Sequence, residues 1–134
     1  VPAGRVTEEP WAFWDFLPTV ADLIGAKLPK GVPTDGQSLL AFLKGGAAPK
    51  RECFYWELHE GRPIQAVRFD DWKAVRSGPG KPLELYDLAK DVGETTDLAE
   101  KPPDRVAKAG RLRKKVGGDD PKWPLARQQP KKKK

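Results

Sequence analysis

The 134-residue chain has no methionine, one cysteine (Cys53) and one histidine (His59). Each scarcity closes off chemistry. A lone cysteine excludes an internal disulfide, and it does not make a Cys/His metal cluster with a single histidine. No glycine-rich phosphate loop, His-x-x-x-His pair or G-x-S-x-G elbow occurs. No stretch stays apolar for the roughly 18 residues that a membrane-spanning helix needs. No charged-then-apolar leader pattern is visible. A chain that begins Val1-Pro2 without methionine is expected to be a piece of something longer.

What is present is glycine, proline and charge. The 13 glycines and 14 prolines make about a fifth of the chain, so short elements and long connections are expected. A length of 134 residues suits one domain with a real core. The formal net charge of +6 is unevenly spread. Residues 101–134 hold 13 Lys/Arg against 3 Asp/Glu, a balance of +10, whereas residues 1–100 hold 12 against 16, a balance of −4. The basicity therefore belongs to the tail. No aromatic residue interleaves with Lys131–Lys134 to stack on bases, so nucleic acid is not an expected partner and a solvated segment is expected over 119–134, with Trp123 its one candidate anchor. A stand-alone polyanion-binding module that uses this tail is the competing functional class.

The stretch Phe54–Leu88 organises the rest. Four runs rich in β-branched, aromatic and aliphatic residues (Phe54–His59, Ile64–Asp70, Trp72–Arg76 and Leu83–Leu88) are punctuated by turn residues. Phe54, Trp56 and Leu58 share one parity and Tyr55, Glu57 and His59 the other, which predicts one buried and one polar face. Asp70-Asp71 suits a tight hairpin, and Gly78-Pro79-Gly80 a looser connection. The reading is a four-stranded antiparallel meander, with Trp56 and Trp72 in its core and Cys53 a small residue at its start.

Before it, Phe13, Trp14, Leu17, Val20, Ala21 and Ile24 recur at helical spacing. Glu8-Glu9-Pro10-Trp11 reads as the helix start. Pro18 either kinks this helix or falls in the first turn of one that begins near Leu17. Asp15 or Thr19 is expected to cap or bond locally, and Gly25 to end the helix. Its aromatic surface exceeds what a four-stranded sheet covers, so an exposed apolar patch is expected. Gln37–Leu43 reads as one or two helical turns. After the meander, Val106, Ala109, Leu112 and Val116 predict a last helix with Asp104 as its N-cap, ended by Gly117-Gly118. The fold class is α+β: the sheet with a packed C-terminal helix, preceded by an amphipathic helix. Residues 1–46 read as linker and helices, 47–118 as the subdomain and 119–134 as a basic tail.

His59 ends the first strand beside a turn, with Glu57 on the same face two residues earlier, a place where ligands are met. Glu60, Arg62 and Gln65 at the following turn come next. Arg68, Lys73 and Arg76 lie on adjacent strands, where they suit either an anion or cross-strand pairing with Glu57 and Glu84. Asp87, Asp91, Glu94 and Asp97 lack the spacing of a calcium loop. The residues alone describe a small module with no complete active site.

Four stretches together resemble the C-terminal part of an arylsulfatase-type sulfatase of the N-acetylgalactosamine-6-sulfatase kind. Asp15-Phe16-Leu17-Pro18-Thr19-Val20 through Gly25 is similar to the family's "D-L-x-P-T-L-x-x-L-A-G". Asp35-Gly36-Gln37-Ser38-Leu39 is similar to "D-G-x-S-L", with Ala41 where proline is frequent. Trp56-Glu57, Ala66-Val67-Arg68 and Trp72-Lys73 resemble "W-E … A-V-R-x-G-x-W-K-L", with Asp70-Asp71 in place of Gly-Asp or Gly-Asn. Glu84-Leu85-Tyr86-Asp87-Leu88 through Leu98 resembles "E-L-Y-D-L-x-x-D-P-x-E-x-x-N-L", with Val92 replacing proline and Asp97 asparagine. Val1-Pro2-Ala3-Gly4 resembles the "P-G-x-I-x-A-G" segment that follows the catalytic core.

The resemblance implies sulfate-ester hydrolysis by a full-length enzyme that carries a formylglycine and a calcium ion. The formylglycine is made within Cys/Ser-x-Pro-x-Arg, a motif not found here, so no catalytic or metal residue carries over. What it implies for this chain is one wall of the substrate pocket, with His59 and Glu57 foremost, then Glu60, Arg62 and Gln65. The implied partners are the N-terminal catalytic domain of the same protein and a sulfated small molecule or carbohydrate, with no membrane. The implied location is periplasmic or extracellular.

Overall fold

A computed structural model of the chain describes residues 1–31 and 33–117. The basic segment 119–134, with Trp123, lies outside the described residues, as does Gly118. The chain divides into two compact units, Val1–Arg51 and a second that begins at Glu52. The five residues 47–51 sit with the first unit rather than with the sheet. Arg51 pairs with Asp15, and Gln37 donates to the Lys50 carbonyl (3.4 Å).

In the first unit a single 3-10 turn, Phe13–Asp15, runs into α1, Phe16–Ile24. The stretch Glu8–Trp11, expected to start the helix, lies ahead of this turn. The Asp15 carboxylate accepts the Ala12 amide (2.9 Å), which sets the boundary there. Pro18 is the third residue of α1, so its missing N–H falls in the first turn and the helix is not broken. Gly25 ends α1 with φ 70, the left-handed conformation that glycine adopts freely. α2 is one turn, Leu40–Leu43.

Asp15 does more than cap. It is fully buried, and it also accepts the Gln37 amide (2.9 Å) and pairs with Arg51. The Thr19 hydroxyl donates to the Asp15 carbonyl (2.6 Å) and accepts the Leu39 amide (3.0 Å). One polar side chain of α1, Thr19, and one just ahead of it, Asp15, thus anchor the loop that leads to α2.

The second unit holds β1 (Phe54–Leu58), β2 (Ile64–Phe69), β3 (Trp72–Arg76), β4 (Glu84–Asp87) and α3 (Pro103–Val116). The strands pair in the order β1-β2-β3-β4, all antiparallel, as the meander predicts. Phe69 faces Trp72 across the two-residue hairpin, where Asp70 takes φ 50. The core lies between α3 and one sheet face, and comprises Val67, Phe69, Ala74, Leu85, Ala109 and Leu112, with Tyr55 and Trp72 packed against it. Tyr55, Val67, Ala74 and Leu85 form one cross-strand row of that face.

That row inverts the expected parity of β1. Phe54 is buried, but Trp56 is 40 % and Leu58 51 % exposed on the other side of the sheet. The expected core position of Trp56 is therefore wrong, whereas that of Trp72 is right. β2, β3 and β4 decide which face the helix covers, and edge strand β1 follows their register. Its helix-facing residues are Tyr55 and Glu57.

Parity also splits the expected basic patch. Arg68 and Lys73 are direct cross-strand partners, while Arg76 lies on the helix-covered face with Gln65. Lys73 pairs with Glu94 (2.5 Å) rather than with Glu57 or Glu84. The expected N-cap Asp104 is instead inside the first turn of α3, which starts after Pro102. Proline suits that first turn, and the acidic side chain there complements the helix dipole. The acidic loop after β4 spends its carboxylates locally. Asp91 accepts the Thr95 and Thr96 amides (both 2.8 Å), and Asp97 those of Leu85 and Ala99 (both 2.9 Å). Those bonds hold the Asp91 carboxyl below its ordinary range.

Candidate functional site

The end of β1 carries the main cluster of interacting polar side chains on the helix-covered face. Glu57 and Gln65 are direct cross-strand partners, and Gln65 faces Arg76 on its other side. Gln65 is 2 % exposed, so its amide must be satisfied by protein. Its Nε2 donates to the Tyr55 hydroxyl (2.7 Å) and to Glu57 Oε1 (2.5 Å). Its Oε1 accepts from Arg76 and, from the last turn of α3, from Arg113 (3.1 Å). The Tyr55 hydroxyl donates to Glu57 Oε1 as well. Gln65 thus uses its full hydrogen-bonding capacity.

The consequence is a carboxylate with one oxygen occupied and one aimed outward. Glu57 Oε2 meets His59 Nε2 at 3.3 Å. About a quarter of the His59 side chain is exposed, and its Nδ1 is buried without a hydrogen-bond partner among the described residues. Burial pushes the Tyr55 phenol well above its ordinary range, and the hydrogen bond to Glu57 and its charge add to this. Tyr55 therefore stays a donor to Glu57 at any pH near neutrality.

The five residues singled out from the sequence divide. His59, Glu57 and Gln65 come together. Glu60 and Arg62 do not join them; both are exposed on the turn around Gly61, whose φ is 65. Arg62 instead lies beside Gly78 of the β3–β4 connection. Sequence reasoning gave Tyr55 and Arg113 no role here, and it offered Arg76 to an anion or to Glu57 and Glu84 rather than to Gln65. Tyr55 was within reach, because it shares the parity of Glu57 and His59. Arg113 lies 48 residues from Gln65 and left no local signal.

Among the described residues no three His, Cys, Asp or Glu side chains gather as metal ligands. Cys53 is followed by Phe54-Tyr55-Trp56 and packs against the core. Among the described residues the carboxylates do not assemble a calcium site, and Cys53 is not followed by the x-Pro-x-Arg of a formylglycine precursor. No helix among the described residues is long and apolar enough to cross a membrane.

No family model matches the chain. Curated relatives do. Mouse steryl-sulfatase is 39 % identical over 125 residues, covering 71 % of this chain and 20 % of its own length. Human arylsulfatase A is 34 % identical over 120 residues, covering 72 % and 24 %. Human arylsulfatase D is 34 % identical over 84 residues, covering 59 % and 14 %. The chain thus spans a quarter or less of these relatives. Among solved structures, a Bacteroides thetaiotaomicron protein described as a sulfatase matches with a TM-score of 0.67 at 32 % identity, over 75 % of this chain and 23 % of that one. A 2-O GAG sulfatase matches with a TM-score of 0.66, also at 32 % identity, over 75 % and 23 %. The four-stranded antiparallel sheet with its packed helix, the partial span and the shared identity agree: the chain belongs to the sulfatase family and corresponds to the C-terminal portion of its members.

Proposed function

We propose that the chain is the C-terminal part of a sulfate-ester hydrolase, that it supplies one wall of the substrate pocket, and that it is not catalytic alone. The observation that carries this reading is the His59–Glu57 pair. A carboxylate braced by Gln65 and Tyr55 holds the imidazole by Nε2 and leaves Nδ1 uncommitted. Nδ1 is itself buried, so a ligand meets this pair at the exposed quarter of the imidazole, a polar edge suited to the hydroxyls of a sulfated carbohydrate or to another sulfated small molecule. Glu60 and Arg62, exposed on the next turn, extend the same edge outward. Calcium and formylglycine belong, in this reading, to the N-terminal catalytic domain of the same polypeptide. That domain is the principal partner, and the enzyme works in the periplasm or outside the cell.

The test is kinetic, in the polypeptide encoded by the complete reading frame. With a panel of sulfated monosaccharides, His59→Ala lowers kcat/KM by about 10- to 100-fold, the worth of one or two hydrogen bonds to charged groups, chiefly through KM. Lys90→Ala, at an exposed position, serves as the control. The 134-residue chain alone hydrolyses none of the panel. Unchanged kcat/KM in a correctly folded His59→Ala enzyme refutes the pocket-wall role, and turnover by the 134-residue chain refutes the division of labour.

A further inference from the structure

Beyond Asp104, α3 carries no acidic residue, while Arg105, Lys108, Arg111, Arg113, Lys114 and Lys115 are all basic. Lys108, Arg111 and Lys115 are three and four residues apart, so they form one stripe along the helix, outside the buried pair Ala109 and Leu112. Arg111, Lys114 and Lys115 are exposed, whereas Arg113 turns inward to Gln65. Local structure explains only part of this charge. Cations in the last turn suit the negative end of the helix dipole, which accounts for Arg113, Lys114 and Lys115. Lys108 and Arg111 stand farther in, where the dipole gives little. Arg105 and Lys108 share one carboxylate, Asp70 (3.8 and 2.9 Å), and Lys115 meets Glu52. Among the described residues no carboxylate pairs with Arg111 or Lys114. Six cations set against Asp104, Asp70 and Glu52 leave an excess of three positive charges. Like charges at the spacing of Arg111 and Lys115 weaken a bare helix slightly, and an anionic chain laid along the row reverses that repulsion.

We infer that the outer face of α3 is a holding surface for a linear sulfated polysaccharide, which makes the sulfate ester met at the pocket wall one unit of a polymer. The choice of a sulfated sugar chain rests on the function proposed above; the row itself requires a linear polyanion. From Lys108 to Lys115 the stripe runs about 10 Å at 1.5 Å per residue, the reach of a short run of sugar units. Its cations are partly fixed in place: Arg105 lies over the Trp72 ring (5.8 Å) and Lys108 over that of Phe69 (4.8 Å). The row also ends beside the polar cluster. Arg113 bonds Gln65, and a Cβ on Gly117 would strike the Tyr55 hydroxyl, so the last turn of α3 lies against the side chains that brace Glu57. Nucleic acid fits less well. α3 has no Asn, Gln, Ser or Thr to read base edges, and the two rings beside it lie under cations rather than open for stacking.

The segment after Gly117 is basic as well, so the test separates helix from tail. Binding of the 134-residue chain to dextran sulfate is measured across roughly 50–200 mM salt. One variant combines Arg111→Glu with Lys114→Gln; the other replaces each of Lys131–Lys134 with Gln. The glutamate at 111 gains Lys108 and Lys115 as opposite-charge neighbours at helical spacing, so the melting temperature does not fall. The helix variant binds about tenfold more weakly, and its slope of log affinity against log salt drops by about two, one per lost contact. The tail variant changes both less. An unchanged helix variant overturns the inference, as does a loss in the tail variant that equals or exceeds the helix variant's, or no binding at the lowest salt. Tighter binding to duplex DNA of matched charge, weakened by the same helix variant, overturns it too, because the occupant is then nucleic acid. The kinetics of His59→Ala read the pocket wall separately. Unchanged kcat/KM there, alongside helix-dependent binding of dextran sulfate, sinks the proposed function and not this surface.

Discussion

Replacing Gln65 with methionine removes four hydrogen bonds while keeping a side chain of similar volume. The bonds run to Tyr55, Glu57, Arg76 and Arg113. Three involve a charged group, a class worth about 1.5–3 kcal/mol each, against about 1 kcal/mol for the neutral bond to Tyr55. The whole amount is not lost. Glu57, Arg76 and Arg113 are only partly covered, so water takes over some of what the amide supplied. Methionine also gains from apolar burial. A net loss of about 3 kcal/mol is expected, at the upper end of ordinary single substitutions. Urea unfolding of the 134-residue chain, followed at the Val67 and Leu85 methyl resonances, isolates the second unit. With a slope of about 2 kcal/mol/M, the midpoint falls by about 1.5 M. Gln65→Glu separates charge from hydrogen bonding. It keeps acceptors for both arginines but loses the donor to Tyr55 and Glu57 and sets a second carboxylate against Glu57. A loss below about 1 kcal/mol for Gln65→Met, at an unchanged slope, would show that this amide does not tie α3 to the sheet.

Two further outcomes follow from the geometry. The chain has two tyrosines, and both resist ionisation: the hydrogen bond to Glu84, then burial, push Tyr86 up to about 12, and burial pushes Tyr55 higher still. Folded pKa values above the unfolded value of about 10 mean that this stabilisation is complete below pH 10 and is lost as pH rises toward 12 and beyond. Tyrosinate absorbance with a midpoint near 10 and a native circular dichroism spectrum contradicts that. Gly36→Ala places a Cβ on the Trp14 carbonyl oxygen and 2.9 Å from Pro18 Cγ, at a cost of about 1–3 kcal/mol by overpacking. Amide exchange at Leu39, which is held by the Thr19 hydroxyl, reports the loss, and unchanged protection there would rule it out.

The meander was legible because turn residues and alternation are local signals. Asp70-Asp71 marks its hairpin, and each strand run has the right length. Which side of β1 faces inward was not legible, because Phe54, Trp56 and Leu58 are apolar and an edge strand inherits its register from the strands inside it. Pro18 left two readings open in the sequence. The structure selects the first-turn reading, and a glycine 18 residues later fits against the carbonyl that proline has no N–H to reach. Asp15 looked like a local cap, and half its role is local. Its bond to the Gln37 amide and its pair with Arg51 span 22 and 36 residues, a separation at which no pattern shows. The site was half legible for the same reason. Glu57, His59 and Gln65 lie close in sequence, while the α3 arginine that fixes Gln65 does not.

That last separation has a consequence in time. During synthesis at about 5–20 residues per second, Gln65 leaves the catalytic centre of the ribosome roughly 2–10 seconds before Arg113. For that interval the His59–Glu57 pair exists as a hairpin edge with no α3 to hold the amide behind it. The orientation of these two side chains is therefore among the last features to be set. A nascent or prematurely ended chain that stops short of Arg113 carries the residues of the pocket wall without their final aim.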